Sequence, residues 1–538
     1  MAVLPAKVDV LVVGSGNAGL SAAISAAETL PPASSSSARR ILLVDACPEA
    51  WFGGNTYFTA GAFRTAHAGL ADLLPLVNNV SDDEHSRRID LEAYPTSAFA
   101  RDLDRVCLGR SDPELARVLV DDSNSAVKWL AGHGVRFQLS FNRQAYEVGG
   151  RIKFWGGLAL KTQDGGRGLV QDLRQAASSL SVQIACSAAV KNLLFDDDDD
   201  DGDGGGDAVR GAVIVTPDGA RHVVRAPSVV MAAGGFEANP RLRSQYLGPG
   251  WDMAKVRGTP YNTGLCLEAC LREPVCARPA GNWSGCHSVA WDADAPSDGG
   301  DRATSNEFTK SGYPLGLMVN LEGERFVDEG LDLRNFTYAV FGRAILAQPG
   351  RAAFQVWDAR TVSWLRDEEY RDAVVAKIRA SSLEELAQKC AEKGLGDPQR
   401  FIRTITEYNE AVALSAEENP DRKWDPAVKD GVSTQSSRKR LPLAKSNWAL
   451  PLDRAPFVAV KVTCGVTFTF GGLAVEPETA GVVSALTGKA IPGLYCAGEM
   501  VGGLFYDNYP GGSGLTSGTV FGRRAGKAAA ARAQASMA

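Results

Sequence analysis

Two kinds of hydrophobic pattern alternate along the chain. Val8-Asp-Val-Leu-Val-Val13 is a short, nearly unbroken apolar run, the signature of a strand covered on both faces of a parallel sheet. Leu20–Leu30 is rich in Ala and suits a helix, and Ile41-Leu-Leu-Val44 is a second buried strand. This predicts a strand–helix–strand unit at the start. The polar Pro31–Arg40 segment, with serine at every position from 34 to 37, predicts a solvated loop inserted before the second strand. Val209–Thr216, the turn Pro217-Asp-Gly219, His222–Arg225 and the buried Ser228–Ala233 predict a small antiparallel meander and a returning strand. From about Ala280 to Val462 the texture changes to longer amphipathic stretches, Glu384–Lys393 and Asp397–Leu414, with a polar, basic connector at Asp421–Arg440. Ile491–Glu499 reads as a strand ending in a glycine and an acid, and Leu515–Ala531 as a helix of small residues.

Composition narrows the class. The chain has 538 residues, 45% hydrophobic and 22% charged, which excludes disordered, collagen-like and coiled-coil proteins and implies two to four structural units. Its 57 glycines exceed the usual ~7% share, as expected where backbone passes close to a ligand. A net charge of −6 argues against nucleic acid as a partner. Neither a secretory pattern nor an apolar run approaching the ~18 residues of a membrane span is present, so a cytoplasmic protein is expected. The ten cysteines include no CxxC pair. The Cys266–Cys286 cluster beside His287 has irregular spacing and reads as reduced thiols, so no metal is expected. The acidic run that starts at Asp196 lacks EF-hand spacing and reads as a solvated hairpin tip.

The first chemistry follows the first strand. In Gly14-Ser-Gly16-Asn17-Ala18-Gly19, Gly14 suits the tight turn, Gly16 admits a pyrophosphate, and Gly19 lets helix pack on strand. The helix start then offers N–H groups and a partial positive charge to the phosphates. Asp45, followed by Ala46, stands where an acid accepts ribose hydroxyls. A second glycine turn with amide and hydroxyl side chains, Gly53-Gly54-Asn55-Thr56 and then Ala60-Gly61, suits the FMN half of FAD better than a free nicotinamide. Ala233-Gly234 and Gly498-Glu499 end two further strands. Ser513-Gly514-Leu515-Thr516 open a helix whose N-terminus would stabilise negative charge on a reduced flavin ring.

With both ends in view, the chain resembles the soluble branch of the fumarate reductase/succinate dehydrogenase flavoprotein superfamily. Within it the chain is most similar to tricarballylate dehydrogenase-like members, on Ser284-Gly-Cys-His287-Ser-Val-Ala-Trp291, Arg325-Phe-Val-Asp-Glu329 through Tyr338, and Phe505-Tyr-Asp-Asn-Tyr509-Pro-Gly-Gly. The resemblance implies an α/β fold: a Rossmann-like FAD-binding domain of the two-dinucleotide type with a β-meander, plus an α+β capping domain. The expected division is 1–284 and 464–538 for the FAD domain and 285–463 for the cap. It implies FAD held by the residues named above. In covalently flavinylated relatives a His occupies the Asn55 position, so FAD here is expected to be non-covalent.

By the same resemblance the proton-transferring group is Arg334, one residue later than the family's spacing, with Glu307 and Lys310 as a loose match to a proton relay. Arginine in this role needs dense positive surroundings, because its ordinary pKa exceeds ~12. His287 matches a His that binds a substrate oxygen. Two anchors differ from fumarate reductases: Phe468 stands in place of a His, and Tyr509 in place of a carboxylate-clamping Arg. Thr467, Tyr506 and Asn508 lie near them in sequence. The expected enzyme transfers hydride at flavin N5 and desaturates or reduces a C–C bond beside a carbonyl or carboxylate. A tricarballylate-type dehydrogenase and a non-catalytic flavin redox sensor remain open. With no haem motif or iron–sulfur cysteine set, electrons pass to or from an external partner or oxygen.

Overall fold

The computed structural model describes residues 4–31, 40–155, 157–195, 208–296, 302 and 304–536. β1 (Val10–Val13) turns at Gly14 into α1 (Asn17–Thr29), and β2 (Ile41–Val44) follows. β3 (Gln183–Ala185) precedes β4 (Ala189–Phe195), β5 (Val209–Val215), β6 (Arg221–Arg225) and β7 (Val229–Met231). Next come β8 (Pro279–Asp292), β9 (Leu317–Asn320), β10 (Ala353–Trp357), β11 (Ile378–Ala380), α2 (Pro398–Glu418) and β12 (Phe457–Leu473). β13 (Gly481–Val483), β14 (Ala490–Cys496) and α3 (Ser513–Ala535) complete the path.

These strands build the α/β architecture expected. The main sheet has the order β13-β14-β7-β1-β2-β3, parallel except for β13. Every β1 and β2 side chain is buried, which is why both read as unbroken apolar runs. β4, β5 and β6 form the antiparallel meander. The acidic run at its tip and most of the inserted serine loop lie outside the described residues. α3 lies along α1 on small residues: a methyl at Gly526 would come within 2.2 Å of the Ala22 carbonyl oxygen. Two helix starts far apart in sequence thereby end side by side.

A second sheet is organised by β12, which pairs antiparallel with β8, β10 and β11; β9 pairs with β10. β8 and β12 run unbroken through positions 284–285 and 463–464, linking the two regions. α2 covers this sheet through Phe401, Ile405 and Tyr408, which join Leu317 and Phe354 in a core of their own. The register sets His287 opposite Phe468 and Cys286 opposite Thr469. None of the described helices is long and apolar enough to cross a membrane.

Candidate active site

One continuous cavity runs from the C-terminal edge of the parallel sheet to the underside of the second sheet. At its first end Gly14 has φ +111°, and a methyl there would sit 2.2 Å from the Ala232 carbonyl oxygen. Only glycine allows the turn to press against the end of β7. The starts of α1 and α3 meet here: Asn17 Nδ2 donates to the Leu515 carbonyl at 2.8 Å and to Thr519 Oγ1 at 3.1 Å, and the Asn17 N–H donates to Thr56 Oγ1 at 2.9 Å. Gly14, Gly16, Asn17 and Ala18 line the cavity, as do Asp45, Ala46, Gly54, Asn55, Thr56 and Ala60. Ala233, Gly234, Gly498, Glu499, Gly514 and Leu515 close its other walls.

The remaining predicted residues stand behind this lining. Gly19 lets α1 pack, since a methyl would lie 1.9 Å from the Gly14 oxygen; Gly53 and Gly61 press on Val170 and Thr162. Ser513 Oγ donates to the Pro510 carbonyl, and Thr516 Oγ1 to the Arg64 carbonyl at 2.7 Å. They shape the cradle without facing it.

Two details bear on FAD. Asp45 accepts from the Ser15 N–H and Oγ at 2.8 and 2.6 Å and from the Cys47 N–H at 2.9 Å, which orients its carboxylate at the cavity edge. Asn55 Nδ2 donates to Glu237 Oε1 at 2.5 Å and to the Thr467 carbonyl at 2.6 Å, while its Oδ1 accepts from Thr259 N–H at 2.8 Å. A glycine cradle, two converging helix starts and a ribose-side acid fit a dinucleotide-linked flavin.

Behind Asn55 lies a buried carboxyl pair. Glu237 also accepts from Asn262 Nδ2 at 2.6 Å, and Glu499 accepts from the Thr469 N–H at 2.7 Å. Glu237 Oε2 has no donor. Burial, then the neighbouring Glu499 carboxyl, pushes Glu237 well above the usual range, and burial lifts Glu499 to about 7.

The other end of the cavity is lined by polar and aromatic side chains. Tyr509 Oη and His287 Nδ1 are 3.1 Å apart, both side chains are buried, and His287 Nε2 has no partner. Burial, and after it the Arg257 guanidinium, holds the His287 pKa far below its usual value, so the ring is neutral. Phe468, Phe470 and Phe505 form the wall beside Tyr509, with ring centroids 5.0, 6.0 and 5.4 Å from it. Arg257, Arg143 and Arg366 also line the cavity, and Glu369 is the carboxylate that pairs with two of them. Burial alone would raise Glu369, but Arg366, Arg143 and the Ser311 hydrogen bonds hold it at about 2.

The predicted proton-handling residues sit outside this lining. Arg334 is buried, its Nη2 donates to Tyr146 Oη at 2.7 Å, and its guanidinium packs on the Tyr146 and Trp155 rings at 5.9 and 5.6 Å. Burial and the positive charge of Arg366 lower its pKa. Lys310 is wholly buried, donates to the Glu307 backbone carbonyl at 2.6 Å and is lowered by burial to about 8. The Glu307 carboxylate turns instead to Arg371 at 2.7 Å. Thr467 lines the cavity and accepts from Arg257; Asn508 positions Tyr509 by accepting its N–H at 2.9 Å, and Tyr506 lies under Arg110.

Sequence reasoning missed Arg257, Arg366, Glu369 and Glu237. Arg366-Asp-Glu-Glu369 has the composition of a solvated surface turn, and nothing local marks it as buried. Glu237 carried a faint signal, an acid directly after the Gly234-Gly235-Phe236 strand end.

Comparison with known proteins places this arrangement. A family described as an FAD binding domain matches residues 91–515. The chain is 26% identical over 526 residues to a probable fumarate reductase, Ifc3, of Shewanella frigidimarina, covering 98% of this chain and 75% of that protein. It is 27% identical over 606 residues to a 4-oxocyclohex-2-ene-1-carboxylate 5-dehydrogenase of Sinomonas cyclohexanicum, covering 98% of this chain and 94% of that one. The fold superposes on 3-ketosteroid Δ1-dehydrogenase from Sterolibacterium denitrificans with a TM-score of 0.69 at 19% identity, over 98% of this chain and 100% of that one.

Proposed function

The chain belongs to the FAD binding domain family and is an FAD-dependent oxidoreductase acting on a C–C bond; from that premise we propose that the bond lies beside a carbonyl or carboxylate held by His287 and Tyr509. The observation that carries this reading is the unpartnered donor of that pair. If Tyr509 donates to His287 Nδ1, the neutral ring carries its proton on Nε2, which no protein group accepts. If Nδ1 donates, the phenol proton is left over. Either tautomer offers one buried donor to a substrate oxygen, where it stabilises charge developing on that oxygen.

FAD, when bound, supplies or takes up the hydride. It is held without a covalent bond, because the Asn55 amide is fully engaged by Glu237, Thr467 and Thr259. The proton on the adjoining carbon is assigned to Arg334, whose guanidinium stands behind the lining on Tyr146 Oη and must turn into the cavity to reach it. Burial and Arg366 make loss of its proton less costly than for an ordinary guanidinium. The aromatic wall keeps water from the donor pair. Electrons are exchanged with an external donor, acceptor or oxygen.

The test is anaerobic reduction of the holoenzyme with dithionite, followed by flavin absorbance after adding fumarate, aconitate or 2-cyclohexenone. Reoxidation by at least one of them is expected. A reduced flavin that no activated alkene reoxidises, and that no saturated counterpart reduces in the reverse direction, overturns the reading.

A further inference from the structure

Arg257 is a cation without a counterion. It reaches the cavity from the segment after the short Lys255–Val256 strand, is 7% exposed, and forms no ion pair among the described residues. Its Nη1 donates to Thr467 Oγ1 at 3.2 Å and its Nη2 to Asn306 Oδ1 at 2.5 Å, both neutral oxygens, and its Nε has no partner. The other guanidiniums that line the cavity are compensated. Arg366 pairs with Glu369 at 3.0 Å, and Arg143 with Glu368 at 2.7 Å and Glu369 at 3.4 Å. A buried unpaired charge is costly, and a guanidinium with an open edge in a ligand cavity is matched by an anion. Among the guanidiniums that line the cavity one lacks a carboxylate, and it asks for one anionic group.

The aromatic lining sets the rest of the ligand. Phe468, Phe470 and Phe505 offer only carbon, with Phe468 edge-on to the Tyr509 ring at 82°. A second carboxylate placed there would lose its water with no donor to replace it. We propose that the substrate is an α,β-unsaturated monocarboxylate with an apolar, planar substituent, its carboxylate held by Arg257 and its substituent against Phe468, Phe470 and Phe505. This rests on the reading of His287 and Tyr509 given above. Arg257 thereby supplies, from a different segment, the guanidinium for which Tyr509 stands in the family pattern.

The probes are cinnamate, methyl cinnamate, fumarate and 2-cyclohexenone as oxidants of the reduced holoenzyme, and 3-phenylpropionate as a ligand of the oxidised one, read by the shift of the flavin spectrum. Cinnamate is expected to exceed both its ester and fumarate in kcat/KM by about 10-fold or more. Arg257→Gln should raise the Kd for 3-phenylpropionate on the order of 100-fold and remove the preference for acid over ester. Arg257→Lys should recover about a tenth of the affinity. Wild-type enzyme that prefers ester to acid, or fumarate to cinnamate, overturns the proposal without any variant. So does Arg257→Gln that binds 3-phenylpropionate as the wild type does. Reoxidation by 2-cyclohexenone or fumarate alone removes only this inference; reoxidation by none of the four removes the functional reading beneath it.

Discussion

The two ends of the cavity are built in opposite ways. The cofactor end is made of backbone: glycine turns, two helix starts and the ends of parallel strands, drawn mainly from residues 14–61 and 498–518. The substrate end is made of side chains whose owners, from Arg143 and Arg257 to Arg366 and Tyr509, are scattered over most of the sequence. Backbone geometry is dictated by neighbours in sequence, whereas a constellation of side chains is dictated by which strands pair. The first end should therefore fail as a unit when one glycine is changed, and the second should lose function one residue at a time.

The largest expected effect breaks the first end. Gly14→Val places carbon within 2.2 Å of the Ala232 oxygen at a φ of +111° that β-branched residues avoid. Purified protein should carry almost no flavin, as read by the flavin-to-protein absorbance ratio. Normal flavin content would mean that the cradle tolerates a shift of β7 and that the contrast drawn here is false.

Next comes Arg334→Gln, at the second end. Turnover should fall by about 10²–10⁴-fold, the usual worth of a general acid or base, with flavin content unchanged. Wild-type turnover would reduce Arg334 to its packing on Tyr146 and Trp155. Tyr509→Phe should be milder. It removes the phenol bonded to His287 at 3.1 Å but leaves the imidazole to donate alone, so kcat/KM should fall roughly 10- to 100-fold with flavin retained. An unaltered kcat/KM would show that the phenol contacts nothing that reacts.

The same contrast explains what the sequence discloses. β1, α1 and β2 were legible because periodicity, the glycine spacing and the terminal Asp45 all lie within one short stretch. The meander was legible from its Pro-Asp-Gly turn. β8 and β12 were not: both run through a region whose most visible periodicity is helical, and β12 is buried on both faces for most of its length, so it shows no alternation. His287 and Tyr509 emerged only through resemblance, and their contact depends on the register that sets His287 against Phe468. Arg257 and Glu369 have no local mark, because burial of a charge is a property of the whole fold.

The smallest expected effect concerns the point where the two ends meet, the Glu237–Glu499 pair behind Asn55. Burial lifts Glu499 to about 7 and Glu237 higher, whereas an unfolded chain releases these protons near ~4.3. Between those values the folded protein binds more protons than the unfolded one, so this stability is complete at acid pH and is lost as pH rises through 7. His67, lowered by burial to about 4, and the neutral His287 oppose this trend below pH ~6.5, since each binds a proton only when unfolded. The clean window therefore lies between pH ~6.5, above which the two histidines no longer contribute, and about 8, where the buried Lys310 and Lys445 begin to oppose the trend. There the Tm of the holoenzyme should fall with pH, by on the order of 1 °C per unit for a chain of this size. Glu237→Gln keeps an oxygen for Asn55 and Asn262 and removes the carboxyl that is raised the further of the two. The variant should lose most of the slope and be the more stable protein at pH 8. Parallel Tm curves for the two proteins would mean that the pair carries no shared proton and that the junction between the two ends is electrostatically silent.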